Sequence, residues 1–173
     1  TSHRHEANLL VAMSVCDLCL PTRSSECNAC WGGKRIYQGK LCVERFIDDL
    51  LLFTKQRKSS VFVFAHNFSG YDGRFIISVV WKRKIKGIKF ILRGTKILTI
   101  KISNCIRFID SFLFLPLPLS QLPAAFGFAE SKGHFPFLMN DGTDEIWEYN
   151  GDFPDIELFS PEYLNEKEYN RLK

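Results

Sequence analysis

The stretch VFVFAHNFSGYDGRFIISVVW, residues 61–81, sets the frame for any fold this chain adopts. VFVFAH is apolar throughout and rich in β-branched and aromatic residues, the pattern of a strand buried on both faces. NFSGYD breaks it with small and turn-forming residues. Tyr71 to Trp81 then reads as a helix, so Asp72 is placed where a buried strand has ended and a helix begins. In open α/β sheets ligands gather outside the carboxyl ends of strands, and a carboxylate there is placed to hold Mg²⁺ or Mn²⁺. An Asp followed by Gly is also ordinary turn chemistry, so the position alone does not decide between the two.

The flanking sequence extends the α/β pattern. LLVAMSV (9–15) reads as a strand, and Cys16 to Gly33 as an insertion without periodicity. Beyond Leu41, Cys42, Phe46, Leu50 and Phe53 recur at helical spacing with Glu44, Asp48 and Asp49 between them, an amphipathic helix ended by KQRKSS. KILTIKI and CIRFIDS alternate around Ser103-Asn104 as a β-hairpin with Asp110 at its end. The prolines of PLPLSQLPAAFGF exclude a central strand and predict an extended crossing, then a short helix near Ser120 to Phe126. Residues 1–173 are read as one domain, with 16–33 a Cys-rich insertion inside it.

Charge is segregated. No acid occurs from Gly73 to Ile109, whereas Asp and Glu dominate after Asn140. The basic stretch is suited either to a phosphate backbone or simply to solvent. No apolar run is long enough for a membrane span, and no secretion signal is visible, which points to an intracellular protein. The first residue is Thr1, and the chain reads as an excerpt.

CDLC (16–19) and CNAC (27–30) are two Cys-x-x-Cys pairs. Four thiolates at such spacing suit tetrahedral zinc, against the alternatives of reduced thiols or disulfides; without a secretion signal the reading favours zinc on Cys16, Cys19, Cys27 and Cys30. His3 and His5 are read as surface residues, and Cys42 and Cys105 as small core residues.

HNFSGYDGRFI resembles the second exonuclease motif of family B DNA polymerases. FIDSFLFLPLPLSQLPAAFGF looks like the segment that follows it in the protein-primed branch, the viral and Maverick/Polinton-type enzymes, and NLLVAMSVCDLC also resembles the Maverick type. The resemblance implies a ribonuclease H-like 3′-to-5′ proofreading fold, a mixed sheet flanked by helices, hydrolysing phosphodiesters with two divalent ions about 4 Å apart. It implies that Asp72 is a metal ligand, that Asn67 orients the primer terminus, and that Tyr71 lies against the terminal base or sugar of single-stranded DNA. Ser111 matches a hydroxyl residue that touches single-stranded DNA in the family, and Phe112 stands where the family has Leu. Lys132 falls where protein-primed enzymes carry a lysine near the scissile phosphate. The family's first motif, Asp-x-Glu, and third, Tyr-x-x-x-Asp, are not found, so the chain is expected to be a very weak or inactive nuclease by itself. Its expected partners are single-stranded DNA or a primer 3′ terminus, the polymerase domain of a parent chain and a terminal priming protein, at a nuclear or viral replication site. The competing readings are a domesticated nucleic-acid-binding module without hydrolysis and a zinc-dependent interaction domain.

Overall fold

The structure, a computed structural model, describes residues 6–20, 27, 29–129, 133–140 and 149–172. The chain divides into two compact units, Thr1–Pro116 and Leu117–Lys173.

The first unit carries the strands and the two longer helices. Strands β1 (Leu9–Ser14) and β2 (Gly33–Gln38) form an antiparallel pair, with Ser14 opposite Gly33 at the end that the Cys-rich segment closes. Helix α1 (Cys42–Arg57) follows, then β3 (Val61–Ala65), helix α2 (Asp72–Lys82), β4 (Ile88–Arg93), β5 (Lys96–Ile102) and β6 (Ile106–Asp110). The last four strands make one mixed sheet in the order β3-β6-β5-β4; β3 runs parallel to β6, and the other pairs are antiparallel.

Helix α1 forms where the spacing places it. Cys42, Val43, Phe46, Ile47 and Leu50 share one buried stripe, and the helix stops when Lys58 turns left-handed at φ 49°. Thr54, the one buried polar residue of that stripe, returns its hydroxyl to the carbonyl of Leu50 at 3.0 Å, so its burial leaves no orphan donor. Helix α2 buries Gly73, Ile76, Val79 and Val80. These stripes meet Ile97, Ile100, Ile102, Ile106 and Phe108 of the sheet in one core. Arg83 pairs with Asp48 and Lys82 with Glu44, joining the two helices at their surface.

The expectation that residues 61–66 are buried on both faces does not hold. Phe62 and Phe64 are 55% and 58% exposed, because alternate side chains of β3 point to opposite faces and it is Val61, Val63 and Ala65 that pack against the core. Cys42 is fully buried as expected, but Cys105, in the β5–β6 turn, is only half-buried. Two strands were not anticipated: GKRIYQ, which becomes β2, and IKFILR, which becomes β4.

Among its described residues, the second unit consists of short helices joined by irregular chain. Helix α3 (Leu122–Ala125) is the short helix expected in the proline-rich crossing. Phe159 is buried and stacks on Phe153 with ring centroids 5.5 Å apart. Helix α4 (Glu166–Leu172) opens on a reciprocal cap: the Glu168 N–H donates to Asn165 Oδ1 at 2.9 Å, and the Asn165 N–H donates to Glu168 Oε2 at 3.1 Å.

Candidate functional site

Because β3 and β6 are parallel, they finish at the same end, with Ala65 opposite Asp110. The chain leaving each strand is therefore delivered to one place: His66, Asn67 and the loop into α2 from β3, and Ser111 and Phe112 from β6. Of the residues singled out in the sequence, Asn67, Tyr71, Asp72, Ser111 and Phe112 are all brought to this end. Lys132 lies outside the described residues, as do His3 and His5.

The loop from 66 to 71 is pinned from below and from the side. Phe68 is buried and stacks on Phe108, ring centroids 5.8 Å apart and planes 11° from parallel. The Ser69 N–H donates to Asp110 Oδ2 at 2.9 Å, and the Phe112 N–H donates to Oδ1 at 3.0 Å. Asn67 takes a left-handed φ of 59°, a conformation its short polar side chain tolerates. At Gly73 an added Cβ would lie 3.1 Å from the Phe68 ring and 3.2 Å from the Phe68 carbonyl oxygen. The glycine after Asp72 is thus demanded by the close passage of α2 over Phe68.

Two carboxylates at this end differ in environment. Asp110 is buried, which works against its charge, but hydrogen bonds from Ser69 and from the Phe112 and Phe68 amides overcome that and hold it below the usual carboxylate range. Asp72 is exposed at the first turn of α2, yet its carboxyl is pushed upward by partial desolvation and by the charge of Asp110. No ion pair to Asp72 exists among the described residues. A cation at Asp72 would therefore relieve repulsion rather than displace a partner.

Around this pair stand the groups that can meet a ligand. Tyr71 is half exposed, its ring edge-on to Phe75 at 5.0 Å. Ser111 Oγ is 3.1 Å from His66 Nδ1 and donates to the Ala65 carbonyl at 3.4 Å. Phe112 lies edge-on to the His66 ring at 5.6 Å. His66 and Asp110 were not picked out as site residues in the sequence; the signal was the parallel pairing, which aligns residue 65 with residue 110 and which no local pattern announces. Among the described residues, three or more groups close enough to share a metal ion occur only at the four cysteines. Among the described residues, the carboxylates do not by themselves make a two-metal site.

The cysteines form the second candidate centre. The sulfurs of Cys16, Cys19, Cys27 and Cys30 all lie within 4.8 Å of one another, and all six cysteines of the chain are free thiols. Cys16–Cys19, Cys16–Cys27 and Cys19–Cys30 are separated by 3.7, 3.6 and 3.7 Å between sulfurs. A tetrahedral zinc with Zn–S bonds of about 2.3 Å requires sulfurs about 3.8 Å apart, a spacing these three pairs match. Hydrogen bonds from the Cys30 and Ala29 amides draw the Cys27 thiol down to about 7. At Cys19 a backbone hydrogen bond at Cys16 acts in the lowering direction, but burial and the neighbouring sulfurs outweigh it and push the thiol up to about 11.

The outer face of the four-stranded sheet is basic and aromatic. Phe62, Arg107, Lys101 and Lys89 stand in one register row across β3, β6, β5 and β4, with the Arg107 guanidinium 5.6 Å from the centre of the Phe62 ring. The acid-free stretch of the sequence thus concentrates three cations in a line.

Residues 53–173 match the family described as DNA polymerase type B, organellar and viral. A probable DNA polymerase of Ascobolus immersus is 31% identical over 105 residues, covering 56% of this chain and 9% of that protein. A probable DNA polymerase of Neurospora intermedia is 32% identical over 114 residues, covering 60% of this chain and 12% of that protein. The match therefore spans about a tenth of the length of either relative. No solved structure matches. The chain belongs to the type B DNA polymerases of the organellar and viral family.

Proposed function

We propose that the chain is the central portion of the 3′-to-5′ proofreading exonuclease domain of a protein-primed type B DNA polymerase, with a ribonuclease H-like fold, acting in DNA replication. The observation that carries this reading is the convergence of Asn67, Tyr71, Asp72, Ser111 and Phe112 at the shared end of β3 and β6, around a loop fixed by Asp110. In this reading Asp72 is one ligand of a magnesium or manganese pair whose other carboxylates come from elsewhere in the parent. Tyr71 and Phe112 offer faces to an unpaired base, Asn67 and Ser111 offer polar contacts to the primer terminus, and Lys132 acts near the scissile phosphate. The remaining partners are the parent's polymerase domain and a terminal priming protein. The four cysteines hold a structural zinc.

A second reading, a nucleic-acid-binding module without hydrolysis, is favoured by one observation: no three carboxylates on the described residues approach closely enough to share an ion. Fluorescence anisotropy of short single strands supplies the test of the site. The exonuclease reading expects a free 3′ end to bind more tightly than a 3′-capped strand, and expects Tyr71→Ala and Asn67→Ala to remove that preference. Equal binding of capped and free strands, unchanged by either substitution, would count for the second reading.

A further inference from the structure

The thiol cluster lies where a two-stranded hairpin most needs help. Two antiparallel strands alone are marginal in water, and β1 and β2 are joined by the whole segment from Val15 to Gly32 rather than by a tight turn. A long connection raises the entropy of closing the pair. Nor do the described residues of that segment show an apolar core of their own: Val15, Leu18 and Leu20 are 62%, 73% and 61% exposed. Yet Cys19 within it is buried, among the other three sulfurs.

The cluster touches the hairpin directly. Ser14, the last residue of β1, has its Oγ 3.9 Å from Cys30 Sγ and 3.5 Å from the carbonyl of Gly33, the first residue of β2. Immediately after Cys30 comes Trp31, whose ring lies edge-on to Phe53 at 5.3 Å and Phe46 at 6.3 Å on α1. The Arg35 guanidinium is 5.0 Å from the centre of the Trp31 ring, and Arg35 and Tyr37 converge on Asp49 of α1 at 3.2 and 2.8 Å. One short path thus runs from the sulfurs through Trp31 and Arg35 to α1, the helix that also packs against β6.

We infer that zinc at Cys16, Cys19, Cys27 and Cys30 clamps the open end of the β1–β2 hairpin and, through Trp31, seats that hairpin on α1. Metal loading and the seating of Trp31 are one event. This rests on the zinc reading of the cysteines and adds what the metal does for the fold. An ion bound only when the chain is folded lends its binding free energy to the folded state, and here that energy is delivered to a hairpin in which only Gly33 and Tyr37 are buried. The carboxylate end of the sheet is not involved.

The test uses the reduced full chain carrying Trp81→Phe and Trp147→Phe, so that Trp31 is the sole indole. Metal analysis is expected to give one zinc per chain, and cobalt replacement to give the visible spectrum of a tetrahedral tetrathiolate. On removal of zinc by a chelator, Trp31 emission is expected to move to the red and become open to a soluble quencher. Hydrogen exchange in β1 and β2 should rise by about an order of magnitude or more while β5 and β6 keep their protection. Zinc added back reverses both changes with an end point at one equivalent. Cys16→Ser and Cys27→Ser should reproduce the stripped state, and Cys105→Ser should behave as the parent does. Zinc bound at one equivalent with unchanged Trp31 emission and hairpin exchange overturns the clamp and leaves the zinc reading standing. No bound zinc, or no tetrathiolate spectrum with cobalt, overturns both.

Discussion

Asp110 and Ser69 lie 41 residues apart in sequence and are joined by a 2.9 Å hydrogen bond from the Ser69 amide to the buried carboxylate. That bond, with the one from Phe112, makes a strand-end carboxylate the anchor of the loop that presents Asp72. Asp110→Ala leaves the Ser69 and Phe112 amides without their acceptor and is expected to lower stability by about 1–3 kcal/mol in urea unfolding.

The same anchor has a pH signature. Hydrogen bonding holds the Asp110 carboxyl below its unfolded value, so its stabilising contribution is complete above the ordinary Asp range near about 4 and is lost as pH falls through the lowered native value. Asp110→Asn should therefore be less stable than the parent at neutral pH, and the gap should narrow as both are acidified. A gap that stays constant from neutral to strongly acidic pH would mean that the carboxylate charge is not what the amides recognise.

At Asp72 the sign is opposite. Its carboxyl is raised by desolvation and by Asp110, so ionised Asp72 opposes folding at neutral pH, and the opposition ends once acid protonates it. Asp72→Asn is expected to raise the melting temperature slightly at neutral pH, worth at most about 0.5 kcal/mol at this exposed position. The gain should vanish below about pH 4. Thermal melts at the two pH values decide it.

Gly73 follows Asp72 for a reason of space. Gly73→Ala drives a methyl group against the ring and carbonyl of Phe68 at 3.1 and 3.2 Å, and since Phe68 is stacked on Phe108 it has little room to yield. An overpacking loss of about 1–3 kcal/mol is expected in chemical denaturation.

Much of this was legible before any coordinates. The spacing of Cys42, Phe46 and Leu50 gave α1, the alternation of KILTIKI and CIRFID gave β5 and β6, and the two Cys-x-x-Cys pairs come together as four sulfurs. What escaped did so for physical reasons. IKFILR alternates for only three residues before Ile91 and Leu92, on either side of a register shift, are both exposed, so its pairing with β5 is not written in its pattern. GKRIYQ has one buried side chain, Tyr37, too few to mark a strand. VFVFA is apolar on both faces, and its pattern does not say that Val61, Val63 and Ala65 pack on the core while Phe62 and Phe64 stay exposed. The pairing of Asp110 with the loop at Ser69 depends on two strands distant in sequence lying parallel, and sequence pattern carries no such register.

The basic row on the open sheet face bears on how DNA is held. If Arg107 and Lys101 lie on phosphates, replacing both with alanine should weaken single-stranded DNA binding and flatten the dependence of log affinity on log salt by about 0.7 per lost contact. An unchanged slope would assign these cations to solvent.

The central claim is that Asp72 serves a metal-dependent proofreading site in the parent polymerase. It is tested most directly by comparing the parent with its Asp72→Ala form for removal of a mismatched 3′ nucleotide in Mg²⁺ or Mn²⁺, with primer extension followed in the same samples. The expected result is a fall in removal by about two orders of magnitude or more with extension retained. Undiminished removal by the Asp72→Ala polymerase would contradict the account.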